Sequence, residues 1–184
     1  MSNNIIAFAG SNSRKSINKQ LASYAGSLLK HNSVTVLDLN DFEAPIYSID
    51  REMDSGIPKE ILFFQKAIEE ADGIIISFAE HNGNFSVAFK NVFDWLSRSN
   101  RGVWANKPML LMATSPGKSG GASVLSTAKT MFGYMQANTV ASFSLPSFQQ
   151  HFVEGRGITD GELLEELTSQ VGIFEKAIPA ALKV

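Results

Sequence analysis

The chain has 184 residues, 44% hydrophobic and 18% charged, enough to bury the core of one domain. Sixteen basic against eighteen acidic residues leave a formal charge of −2, which argues against the cationic face that nucleic acid requires. With no cysteine, there is no disulfide, thiolate nucleophile or cysteine-based metal or iron–sulfur centre. His31, His81 and His151 lie far apart without metal-ligand spacing, so no metal site is expected. The start, MSNNIIAFAG, has no basic region followed by a long apolar one. No apolar run reaches the roughly 18–20 residues of a membrane span. The expectation is a cytoplasmic protein without membrane insertion.

Taken in order, strands alternate with helices. Ile5 to Ala9 forms a short apolar strand ending in Gly10, and Ile17 to Leu29 carries a helical apolar stripe. Val34 to Leu39 reads as a second strand. Residues 42–58, broken by Pro45, Gly56 and Pro58, read as a long irregular loop. A helix follows from Ile57 to Ala71. GIIISF (Gly73 to Phe78) is a third, buried strand, because its β-branched residues do not alternate with polar ones. Ala88 to Leu96 is a helix, Met109 to Ala113 a strand, Gly121 to Met135 a helix and Thr139 to Phe143 a strand. The last helix runs from Asp160, its expected N-cap, to Ile178, before Pro179. Alternation of this kind predicts one α/β domain over residues 1–184. Its expected architecture is a three-layer, flavodoxin-like sandwich around a five-stranded parallel sheet of order 2-1-3-4-5.

Ligands of such sheets sit at the carboxyl ends of the strands, so three loops carry the functional reading. The first, Gly10 to Asn18 (GSNSRKSIN), opens a helix with three hydroxyls, a guanidinium, an ammonium and free amides. That donor density at a positive dipole end suits a phosphate more than helix capping alone. The second, Ala79 to Phe85 (AEHNGNF), holds asparagine and glycine that permit unusual backbone angles. The third, Thr114 to Gly121 (TSPGKSGG), has three glycines that let backbone approach a flat ligand. Each alone also reads as an ordinary turn. Gly117-Lys118-Ser119 is not a Walker A motif, because Met112 stands where that motif has glycine.

Together, GSNSRKSIN, AEHNGNFSVAFKNVFDW and KPMLLMATSPGKSGGA resemble the NADPH-dependent FMN reductase family of flavodoxin-like proteins. That family includes quinone, chromate and azo-dye reductases. The likeness runs from about Ile5 to Val140, and Ala44 to Pro58 (APIYSIDREMDSGIP) resembles the family's loop after strand two. The resemblance implies bound FMN, reduction by NADPH or NADH, a small-molecule electron acceptor and a homodimer or homotetramer. It implies that Ser11, Ser13, Arg14, Ser16, Ile17 and Asn18 hold the flavin phosphate. Glu80, His81, Asn82 and Gly83 would lie along the ring, with Ser115, Gly117, Gly120 and Gly121 closing the other side. Many relatives have arginine where this chain has Ser13, with Arg14 one place later, and tyrosine where it has His81.

The flavin would carry hydride from the nicotinamide to a quinone, azo compound, metal oxyanion or free flavin, with no protein nucleophile required. Two readings stand for His81: a loop histidine bonded to a neighbour, or a donor to a quinone oxygen or the flavin. Arg98 and Arg101 read either as a solvated helix end or as ligands of the NADPH 2′-phosphate. Phe148, His151 and Phe152 suggest packing against a partner subunit. Two other classes stay open: a flavodoxin-type carrier, against which −2 argues, and a non-enzymatic module for a phosphorylated ligand.

Overall fold

The computed structural model describes residues 2–179. β1 (Asn4–Gly10) leads into α1 (Ile17–Ser27), β2 (Ser33–Val36) and a 3₁₀ turn at Leu39–Phe42. Next come α2 (Ile49–Ser55), α3 (Lys59–Glu70), β3 (Gly73–Phe78) and the short strands β4 (Glu80–His81) and β5 (Asn84–Phe85). α4 (Val87–Ser99), β6 (Pro108–Thr114), α5 (Ala122–Gly133) and β7 (Asn138–Leu145) follow. The chain continues through α6 (Phe148–His151), β8 (Phe152–Val153), β9 (Gly157–Ile158) and α7 (Gly161–Ala177).

Five strands form one sheet in the order β2-β1-β3-β6-β7, with every pairing parallel. This is the flavodoxin-like order expected from the alternation. The central strands β3 and β6 are buried along their whole length, which explains their unbroken apolar sequence. Side chains alternate between two cores. Ile6, Phe8, Ile74, Ile76, Phe78 and Leu111 face α3, α4 and α5, while Ile5, Ala7, Ile75, Leu110 and Met112 face α1 and α7. An aromatic cluster of Phe78, Phe85, Phe89, Phe93, Phe132 and Trp104 fills the first core beneath α4 and α5.

The observed strands and helices differ from the expected ones mainly at their ends. β2 stops at Val36 instead of Leu39, because the next residues turn around Asp38, whose carboxylate caps the 3₁₀ turn at Asn40 N. Residues 42–58 are not wholly irregular. α2 forms there, started by Ser48 accepting from Arg51 N, and none of its residues is buried. Asp160 does cap α7, accepting from Leu163 N at 3.1 Å. Phe148 is buried in the second core and stacks on Phe152 at 4.6 Å, and Phe152 meets Tyr24 edge-on. These rings pack within their own chain, with Phe152 and His151 half-buried.

Candidate functional site

The three loops converge at the carboxyl ends of β1, β3 and β6. The first is folded by its own hydroxyls. Ser13 N donates to Ser11 Oγ, Ser16 N donates to Ser13 O, and Ser16 Oγ caps α1 by accepting from Lys19 N. The amides of Arg14, Lys15, Ile17 and Asn18 have no hydrogen-bond partner among the described residues. Two of them are the first amides of α1, at the positive end of its dipole. The Asn18 side chain faces inward. Its oxygen accepts from Ser77 Oγ (2.7 Å) and Thr114 N (3.0 Å), and its amide donates to Thr114 O (3.1 Å). Asn18 thus ties α1 to β3 and to the end of β6, under the loop.

The second loop is a β-hairpin. β4 and β5 pair antiparallel through Glu80–Phe85 and His81–Asn84, leaving Asn82 and Gly83 as a two-residue turn. Both turn residues have positive φ, 52° and 77°, as a type I′ turn requires. A Cβ on Gly83 would meet nothing within 4 Å, so the tip faces open space. Behind the tip, Glu80 Oε2 accepts from Val124 N at 3.0 Å, in the first turn of α5. That helix has no side-chain cap of its own at Gly121, so the carboxylate both satisfies a free amide and complements the dipole.

The third loop folds back on β7. Ser147 N donates to Gly117 O, Phe148 N to Ser115 O, and Ser144 Oγ to Gly120 O. Gly120 and Gly121 are buried with positive φ, and a Cβ on Gly120 would stand 2.5 Å from Ser144 Oγ. Their place is to turn the chain tightly against β7. Ser115, Pro116 and Gly117 form the rim.

Between the loops lies a cleft of about 220 Å³. It brings together Ser11, Ser13, Ser16, Ile17, Asn18, Glu80, His81 and Ser115 from the sequence-based set. Arg14, Asn82, Gly83, Gly117, Gly120 and Gly121 do not line it, whereas Lys15, Ala79, Thr114 and Pro116 do. Hydroxyls, an ammonium and free helix amides, with the first hairpin strand beyond them, fit a phosphate with a flat group extending from it. Among the described residues, no group of three or more histidines and carboxylates is placed to hold a metal ion.

A second cleft of about 270 Å³ adjoins the first and shares His81 with it. One wall is the segment after β2 (Leu39, Asn40, Glu43, Ala44, Ile46) and the other is the start of α4 (Ser86 to Ala88, Asn91, Val92). The walls are pinned together. Asn91 Nδ2 donates to Ala44 O (2.9 Å) and Pro45 O (3.2 Å), while its oxygen accepts from Tyr47 N (2.8 Å). Trp95 Nε1 donates to Pro45 O, and its ring meets Tyr47 edge-on. Tyr47 in turn donates its hydroxyl to Glu52, which also accepts from Arg98 Nε at 2.9 Å. The Arg98 hydrogen bond holds the Glu52 carboxyl below its ordinary value, and burial pushes the Tyr47 hydroxyl up. Arg98 is thereby engaged with α2. Nothing in the sequence pattern marked this cleft beyond the length of the loop before α2 and the polar Asn91 in an apolar helix.

A family model described as NADPH-dependent FMN reductase matches residues 3–150. A 2-hydroxy-1,4-benzoquinone reductase from a Burkholderia species is 31% identical over 166 residues, covering 89% of this chain and 87% of that protein. A quinone reductase of Escherichia coli K12 is 27% identical over 142 residues, 74% of each chain. The solved structure of a flavoenzyme NAD(P)H:(acceptor) oxidoreductase from Paracoccus denitrificans superposes with a TM-score of 0.77. It is 23% identical and covers 96% of this chain and 97% of its own, which shows the same fold.

The chain belongs to the NADPH-dependent FMN reductase family. It is accordingly an NAD(P)H-dependent flavin oxidoreductase.

Proposed function

We propose that this protein binds FMN in the three-loop cleft, accepts reducing equivalents from NADPH or NADH, and passes them to a quinone-type acceptor. The observation that carries the reading is the loop after β1. Four unpartnered amides, three serine hydroxyls and Lys15 stand at the open end of α1, beside a cleft that reaches Glu80 and His81 of the hairpin. Bound FMN would supply the hydride chemistry. Ser11, Ser13, Lys15, Ser16 and the amides of Ile17 and Asn18 hold the phosphate through hydrogen bonds that the charged acceptor strengthens. Arg14, exposed beside them, adds positive potential at the rim. The backbone around His81, Asn82 and Gly83 runs along the ring, and Ser115 to Gly117 bound it on the other side. Gly120 and Gly121 turn that loop, and Glu80 and Asn18 keep the three loops in register. The relatives named as quinone reductases support this choice of acceptor class.

The test is an absorption spectrum of the purified protein after incubation with FMN and desalting, then after NADPH without air. Visible flavin bands that bleach on NADPH, and return with a quinone, are the expected result. Bands that persist with NADPH and NADH would instead indicate a carrier. A colourless protein that ignores added FMN would overturn the reading.

A further inference from the structure

The second cleft, between the segment after β2 and the start of α4, is a binding site in its own right. Half of its lining is apolar: Leu39, Ala44, Ala88 and Val92, with the more exposed Ile46 and Val87. Most of its polar groups are already satisfied. Asn91 is bonded at both ends, Ser86 Oγ donates to Gly10 O and caps α4, and the Asn40 amide donates to Asp38. The groups left to meet a ligand are the Asn12 amide, the His81 imidazole and the Glu43 carboxylate, none bonded among the described residues. Such a lining suits a flat apolar ring with a hydrogen-bond-accepting edge that Asn12 or His81 can reach. At about 270 Å³ the cleft falls just below the range of roughly 300–1,000 Å³ typical of ligand pockets, room for a single or fused ring and too little for a dinucleotide.

Charge sharpens the choice. The segment after β2 carries Asp38, Asp41 and Glu43, and among the described residues only Asp38 of these is paired, by Lys19 at 2.5 Å. Arg51 donates to Ile46 O at the mouth, but no lysine or arginine lines the cleft itself. The neighbouring three-loop cleft has Lys15 in its lining and Arg14 beside it. Lys15 in that lining is matched by Glu80, whereas Glu43 is the one carboxylate among the residues lining the second cleft and no cation balances it there, so the second cleft is anionic.

We infer that this second cleft is the docking site of the electron acceptor and that Glu43 selects uncharged flat rings over anionic ones. The inference rests on the proposed flavin oxidoreductase function for its meaning, but the cleft is built of protein alone. Its occupancy is therefore measurable apart from turnover.

The probe is menadione, an uncharged naphthoquinone, with anthraquinone-2-sulfonate as its anionic counterpart. Each is titrated calorimetrically into the protein with and without FMN, and menadione is followed by amide chemical shifts. Shifts centred on Ala44, Ile46, Ala88 and Asn91 are expected. Ala88→Phe, which puts a ring into the cleft, is expected to weaken menadione at least tenfold while the FMN dissociation constant holds. Glu43→Gln, at an exposed position, is expected to raise the affinity ratio of the sulfonate over menadione about fivefold at low salt, an effect that added salt erodes. Menadione shifts confined to other surfaces, or an unchanged affinity in a folded Ala88→Phe, would overturn the docking site. An unchanged ratio in Glu43→Gln would overturn the selection by charge. Failure to bind FMN would defeat the proposed function instead, and the shift map would still decide the cleft.

Discussion

Asn18 shows how one side chain can organise a site without touching its ligand by that side chain. It is buried, and its amide joins Ser77, Thr114 N and Thr114 O beneath the first loop. Asn18→Ala leaves those three groups unpaired, and each buried orphan costs about 1–3 kcal/mol. A loss of about 2–4 kcal/mol in chemical denaturation is expected, together with weaker FMN binding. Asp38 behaves differently because it works through charge. The hydrogen bond from Lys19 is the largest influence that lowers its carboxyl from the ordinary 3.8 to about 2. A carboxylate depressed by folding stabilises the native state above its unfolded value and loses that stabilisation as the folded value is approached. Wild-type stability should therefore fall between pH 4 and pH 2 more steeply than that of Asp38→Asn, as urea midpoints across that range would register.

Among the elements, α5 and the hairpin are the coupled pair. Glu80 reaches from β4 to the first turn of α5, so Glu80→Ala removes the cap that Gly121 cannot provide. The expected cost is about 1 kcal/mol, with faster hydrogen exchange confined to the amides of that turn and to the third loop. The sequence made the large elements legible because their apolar spacing follows burial: β3 and β6 send six apolar residues into the first core and three into the second, and the stripe of α7 faces β7. It hid α2 because that helix buries none of its residues and is held by Ser48, Tyr47 and Arg98 instead of an apolar face. The hairpin was legible in principle, since Asn82-Gly83 between His81 and Asn84 is the strongest short hairpin signal, but two-residue strands leave no alternation to notice. The three loops of the candidate site stand out in the sequence because donors and glycines concentrate there. The second cleft does not, because its walls meet only once Asn91 and residues 44–47, far apart in sequence, are brought together. Likewise Lys15, not Arg14, enters the first cleft, a difference of side-chain direction that spacing alone does not carry.

Over the whole molecule, the sheet acts as a rigid divider with helices on both faces and every candidate ligand contact at one end. No helix among the described residues is long and apolar enough to cross a membrane. Because the three loops belong to elements on both faces, a ligand that binds them resists global unfolding. FMN at one hundred times its dissociation constant should add about 2.7 kcal/mol, or roughly 5–10 °C in melting temperature for a domain of this size. Differential scanning calorimetry with and without FMN reads this directly, and an unmoved transition would count against flavin binding.

The hairpin tip also gives the protein a chemical clock. An asparagine followed by glycine is readily attacked at its side-chain carbonyl by the next backbone nitrogen, since glycine offers no Cβ to block the approach. Asn82-Gly83 is such a pair, exposed at the turn. With age, deamidation there would place a new carboxylate, and in part a rerouted backbone, next to His81, the residue the two clefts share. Isoelectric focusing of stored protein would report the added negative charge, and FMN titrations of fresh and aged samples are expected to show weaker binding in the older one.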